Sequence, residues 1–153
     1  MPRRRDRDAD EPLRAIMLDL REHAYRLRRD TPVGATFARG MAAGLRSAAN
    51  SIGDEIEDPV TLEAGHRCRC VGQGECTACE LLWLAHDTTA LLRLADDRCA
   101  CEQERECDAC AVAREARKHP TTPAGIRRPA DDAGAVPPGG VAVPASVEES
   151  EHA

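Results

Sequence analysis

Bulky apolar material is scarce in this chain. Trp83, Tyr25 and Phe37 are the only aromatic residues among 153, so a large conventional core is not expected. No apolar run approaches the ~20 residues needed to cross a bilayer. The N-terminus, Met1-Pro2-Arg3-Arg4-Arg5-Asp6, leads into charges, so no secretory leader is expected and a cytoplasmic location follows. Lysine is nearly missing as well. Lys118 stands alone among 21 basic residues. With 26 alanines, this bias fits GC-rich coding and a bacterial or phage source. Catalytic signatures are lacking: there is no G-x-S-x-G, no H-E-x-x-H and no glycine-rich phosphate loop. The sequence therefore gives no reason to expect an enzyme.

What the chain has in excess is cysteine, eight residues confined to 66–119. Four zones emerge from composition. Residues 1–10 form a charged arm expected to be flexible. Residues 11–65 read as a helical hairpin, and residues 66–119 as a duplicated cysteine-rich metal-binding region. Residues 120–153 hold six of the ten prolines and no aromatic, so they cannot bury enough apolar area to order themselves and are expected to be disordered. The fold class expected is mainly α.

Within the hairpin, Leu13, Ile16, Met17, Leu20, Ala24, Tyr25 and Leu27 recur at helical spacing over 11–29. Asp10 is the expected cap and Pro12 is tolerated in a first turn. Asp30-Thr31-Pro32 breaks this helix. Val33, Phe37, Met41, Leu45, Ala48, Ile52 and Ile56 then mark a second, which Asp58-Pro59 should end. The second helix is rich in small residues. Gly34, Gly40 and Gly44 would each cost roughly 1 kcal/mol against alanine in a helix interior. Either the helix is weak, or a partner helix, within the chain or in a homodimer, exploits the close approach. Arg39 and Arg46 flank Gly40-x-x-x-Gly44, so the spacing does not signal a membrane dimer.

The cysteines repeat. Cys68-x-Cys70-x5-Cys76-x2-Cys79 is followed 31 positions later by Cys99-x-Cys101-x5-Cys107-x2-Cys110. Arg67 matches Arg98, Glu75 matches Glu106 and Ala78 matches Ala109, making seven identities over fourteen aligned positions. A duplicated unit explains this. Four thiolates in so short a span can converge on one tetrahedral ion, and closed four-cysteine sites are the usual structural zinc sites. The expected ligands are Cys68, Cys70, Cys76 and Cys79 for one Zn²⁺, and Cys99, Cys101, Cys107 and Cys110 for a second. Crossed pairing between the units is the competing arrangement. Gly72 and Gly74 should form the first turn. The second, Glu102–Glu106, lacks glycine and could be partly helical. His66 lies beside the first cluster, but its counterpart is Asp97, so it is read as exposed rather than as a ligand.

Each second cysteine pair should meet a helix. Thr77 with Glu80 fits a capping box, and Asp108 is the matching cap. The helices are expected over about 78–95, the most apolar segment, and 109–118. Arg67, Arg69, Arg98 and Arg105 could compensate thiolate charge. Metal clips would then supplement the thin core.

Three further readings compete. Disulfides need an oxidising compartment, and C-x-C pairs are awkward to bridge internally. An iron–sulfur cluster is the alternative cofactor. Cys70-x5-Cys76-x2-Cys79 is similar to the three-cysteine run of adrenodoxin-type ferredoxins. That family is β-rich and takes its fourth cysteine from far downstream, whereas here Cys68 lies next door. The third is nucleic-acid binding by Arg3, Arg4, Arg5 and Arg7, with Arg26, Arg28 and Arg29 as a second cluster. Asp6, Asp8 and Asp10 interleave the arm, and few aromatics are present for stacking. Two zinc-tetrathiolate sites would take the net charge from −6 to about −10, which repels phosphate. The favoured expectation is a small zinc-binding interaction or regulatory module whose partner is another protein.

Overall fold

A computed structural model describes residues 7–71, 74–102 and 104–121. Six helices occur among them: α1 (Arg7–Asp30), α2 (Thr36–Glu55), α3 (Pro59–Arg67), α4 (Thr77–Leu82), α5 (Thr88–Asp97) and α6 (Asp108–Lys118). There is no strand among the described residues, only an isolated bridge between Glu102 and Arg105. The chain is therefore mainly α, with a hairpin followed by two cysteine units that each run into a helix.

The hairpin is longer at its start than expected. α1 begins at Arg7, so the expected flexible arm is helical over 7–10, and Asp10 lies inside the helix rather than capping it. Pro12 is accordingly internal. Asp10 and Glu11, near the positive end of the helix dipole, favour this earlier start. The turn into α2 passes through Gly34 at φ +107, a conformation that disfavours side chains. Met17, Ala49 and Ile56 hold one end of the hairpin together. Ala24 and Ala42 close around Trp83 at the other.

Asp58-Pro59 ends α2 as expected, but it also begins α3, a helix the apolar periodicity did not announce. Asp58 caps it by accepting from the Thr61 backbone N–H at 3.0 Å and the Thr61 hydroxyl at 2.8 Å, and Pro59 takes the first helical position. Arg14 pairs with the other Asp58 oxygen at 2.7 Å. Arg21, 1% exposed, donates to Thr61 Oγ1 at 2.5 Å. Burial outweighs the attraction of Asp58 and brings the Arg21 guanidinium down to about 10, still cationic at neutral pH. Gly53 of α2 sits against Thr61, so α2 and α3 meet at close range.

The helix expected over 78–95 is two helices. α4 stops at Leu82, and a tight turn over Trp83–His86 is closed by i→i−3 bonds such as Leu84 N–H to Leu81 C=O at 2.9 Å. Asp87 then caps α5 through the Ala90 N–H at 3.1 Å. The unbroken apolar run hid this corner: Leu81, Leu82, Trp83, Leu84 and Ala85 are all buried, whichever way the backbone turns. The main core joins α3, α4, α5 and α6. Seven of its thirteen buried members are alanines, which lets short helices approach closely where bulky side chains are missing. At the far end, Thr121 O–H donates to the Ala85 carbonyl at 3.0 Å and Thr121 N–H to Thr88 Oγ1 at 2.7 Å. The segment expected to be disordered over 120–153 is thus fastened at its first residues; 122–153 lie outside the described residues, as do Arg3, Arg4 and Arg5.

Candidate metal centre

The chain folds each cysteine set back on itself. Cys68, Cys70, Cys76 and Cys79 have their sulfurs within 4.8 Å of one another, and so do Cys99, Cys101, Cys107 and Cys110. The grouping is local, not crossed between units. Cys79 Sγ lies 3.4 Å from Cys68 Sγ and 3.6 Å from Cys70 Sγ. In the second unit, Cys110 Sγ lies 3.4 Å from Cys101 Sγ and 3.5 Å from Cys99 Sγ. An ion with metal–sulfur bonds near ~2.3 Å needs a tetrahedron with edges of about 3.8 Å. The closest sulfur pairs are near that spacing, and all four sulfurs of each set lie within 4.8 Å of one another.

Two features build each tetrad. The first is a backbone clasp. Arg69 N–H donates to Cys76 Sγ and Cys76 N–H to Cys70 Sγ, both at 3.3 Å. The second unit repeats it 31 positions on, with Ala100 N–H to Cys107 Sγ at 3.4 Å and Cys107 N–H to Cys101 Sγ at 3.5 Å. The second is the helix start. Cys76 and Cys107 are themselves the caps of α4 and α6, while Thr77 and Asp108 occupy the first helical positions, which corrects the expected capping roles. The loop expected to be partly helical, Glu102–Glu106, instead turns through the bridge between Glu102 and Arg105. Gly74, at φ +82, serves the equivalent turn of the first unit. The two tetrads therefore match despite different loop sequences.

The thiols differ in acidity within each set. Burial pushes the Cys76 thiol up, but N–H groups of Arg69 and Cys79 and neighbouring thiols outweigh it and bring Cys76 down to about 6. Cys107 is likewise brought to about 6, against burial, chiefly by the N–H groups of Ala100 and Cys110. Burial, then contacts with the Cys68, Cys70 and Cys76 sulfurs, raise Cys79. Contacts with Cys101 and Cys99, then burial, raise Cys110. One thiol of each tetrad is thus shifted toward the thiolate, the form that a metal ion binds. Cys68, Cys70, Cys99 and Cys101 face solvent, and the other four are half-buried.

The arginines expected beside the thiolates do something more specific. Arg98, preceding the second tetrad, donates to Glu80 of α4 at 3.0 Å. Its counterpart Arg67 lies 3.8 Å from Asp108 of α6, with Arg69 at 3.4 Å from the same carboxylate. Each unit reaches across to the first turn of the other's helix. Arg105 closes the Glu102 turn through its backbone. His66 is exposed and stands outside both tetrads, as expected.

Sequence reasoning missed the anchor between hairpin and cysteines. Trp83 is held between Arg28 and Arg46, 4.6 and 4.3 Å from its ring centre. Its indole N–H donates to Glu75 Oε2 at 2.5 Å. Glu75 also pairs with Arg28 at 2.7 Å and Arg46 at 3.0 Å, and Arg46 donates to the Cys79 carbonyl at 3.0 Å. The repeated glutamate was the available signal. Its counterpart Glu106 takes Arg114 of α6 at 3.1 Å instead. One position thus docks the first unit onto the hairpin and closes the second onto its own helix. No family model matches this chain, no curated protein matches its sequence, and no solved structure matches its fold.

Proposed function

We propose that the chain is a small non-enzymatic zinc-binding protein whose two structural ions hold an interaction or regulatory module that engages protein partners. The observation that carries this reading is the pair of four-cysteine sets, each with all sulfurs within 4.8 Å. Closed sets of four thiolates suit zinc, which needs no further ligand and offers no open position for catalysis. An iron–sulfur cluster fits less well. It spreads its cysteines over two or four irons, so the four sulfurs do not all lie at the edge length of one tetrahedron. Of the arginines read as a nucleic-acid surface, Arg26, Arg28 and Arg29 are each paired with a carboxylate, of Glu22, Glu75 and Asp30, which leaves that cluster less free for phosphate.

Elemental analysis of purified protein, with an absorption spectrum, tests the assignment. About two zinc per chain and no visible band are expected. Iron with acid-labile sulfide, or protein that folds fully without metal, would overturn it.

A further inference from the structure

The two tetrads share their clasp and their sulfur grouping, so what separates them is their surroundings. The first is tied into the hairpin. Arg46, whose side chain is 16% exposed, pairs with Glu75 and donates to the Cys79 carbonyl, both at 3.0 Å. Arg28 and the Trp83 indole hold the same carboxylate. Opening the first tetrad therefore disturbs contacts with α1 and α2 as well. The second tetrad has no such tie. Glu106 takes Arg114 of its own α6, and the two side chains are 38% and 44% exposed. Its other links run to the first unit, from Arg98 to Glu80 and from Arg67 and Arg69 to Asp108. None of these ion pairs reaches the hairpin. Exposed pairs hold weakly because water screens them.

The charge beside the sulfurs differs in the same direction. Where the first unit has Val71, Gln73 and Thr77, the second has Glu102, Glu104 and Asp108. Ala100 stands where the first has Arg69. Arg67 and Arg69 cover Asp108, and Arg114 covers Glu106. Glu102 and Glu104 form no ion pair among the described residues. In the first unit Glu75 is already held by two arginines. Four thiolates around one Zn²⁺ leave two negative charges. Carboxylates beside that dianion raise its energy and favour loss of the ion. Access does not separate the sites, because in both the C-x-C pair faces solvent and the C-x2-C pair is half-buried.

We propose that the second tetrad is an exchangeable zinc site, which loads and unloads with the supply of free Zn²⁺, while the first keeps its ion and holds the cysteine units on the hairpin. The inference rests on the zinc reading above and deepens it: one ion is structural throughout, and the other makes the segment 99–110 responsive to zinc.

A chelator pulse on the zinc-loaded full chain tests it, followed by iodoacetamide and peptide mass spectrometry. Zinc should leave in two steps of one equivalent each, the first at least about tenfold faster. Cys99, Cys101, Cys107 and Cys110 should be alkylated in the fast step, and Cys68, Cys70, Cys76 and Cys79 in the slow one. Glu102→Gln with Glu104→Gln, neither of them a ligand, should slow the fast step and leave the slow one unchanged. Alkylation of the first set before the second, or of both at one rate, overturns the proposal. So does a fast step that the two glutamines leave unaltered. Zinc content measured before the pulse separates this from the reading beneath it. A chain without zinc overturns both, whereas two zinc released in the wrong order overturn only the exchange.

Discussion

Alanine at position 53 should be destabilising even though alanine is the better helix former. Replacing glycine within α2 should gain about 1 kcal/mol from backbone propensity alone. At Gly53, however, a Cβ would meet Thr61 Oγ1 at 2.3 Å and Thr61 Cβ and Cγ2 at 3.0 Å. The contact is with the root of a β-branched side chain, which has little freedom to move aside. Either α2 separates from α3, at an overpacking cost of about 1–3 kcal/mol, or Thr61 turns its hydroxyl away. In the latter case Arg21 loses its short bond, and its buried Nε already lacks a partner. A further unsatisfied donor there costs about 1–3 kcal/mol. Net destabilisation of about 1 kcal/mol, and at most about 2, is expected for Gly53→Ala after the propensity gain is subtracted. Gly40→Ala, where nothing lies within 4 Å, should instead stabilise by up to about 1 kcal/mol. Urea unfolding at fixed protein concentration, read by circular dichroism and Trp83 fluorescence, measures both. In Thr61→Ala the Gly53→Ala penalty should shrink, a coupling a double-mutant cycle reports. A neutral or stabilising Gly53→Ala would refute the reasoning.

Two other perturbations probe the site and its setting. Glu75→Gln removes the carboxylate shared by Arg28, Arg46 and Trp83. It should cost about 1–2 kcal/mol and speed loss of one metal equivalent to a chelator while sparing the other, because Glu106 has separate partners; equal loss of both would contradict this. His86 is held below 6.5, by burial first and despite the opposing pull of Glu22. Its neutral form therefore contributes stability that is complete above 6.5 and lost as pH falls below it. His86→Gln should flatten the decline in unfolding midpoint between about pH 7.5 and 5.5; an unchanged slope would count against it.

The hairpin and the paired four-cysteine units could be read from the sequence because each rests on local regularity, apolar spacing in one case and a 31-residue offset in the other. α3 could not, since its start signal, Asp58-Pro59, doubles as a stop. The corner between α4 and α5 was hidden because every residue in it is apolar or buried. The glycines of α2 look alike in sequence, yet Gly53 was the one under tertiary constraint while Gly40 and Gly44 face open space. Trp83 was legible as central, but its two arginine partners come from helices 37 or more positions away, and no local pattern encodes that.

Because each tetrad is complete within twelve consecutive residues, 68–79 and 99–110, its formation is an event in time as well as a shape. The first can close on an ion before residue 99 has been synthesised, and neither has to wait for a distant segment to arrive. Short loops carry a small closure entropy, so each tetrad can close with little help from the rest of the chain. The ion pairs from Arg67 and Arg69 to Asp108, and from Arg98 to Glu80, form only when both units exist. They tie each unit to the first turn of the other's helix.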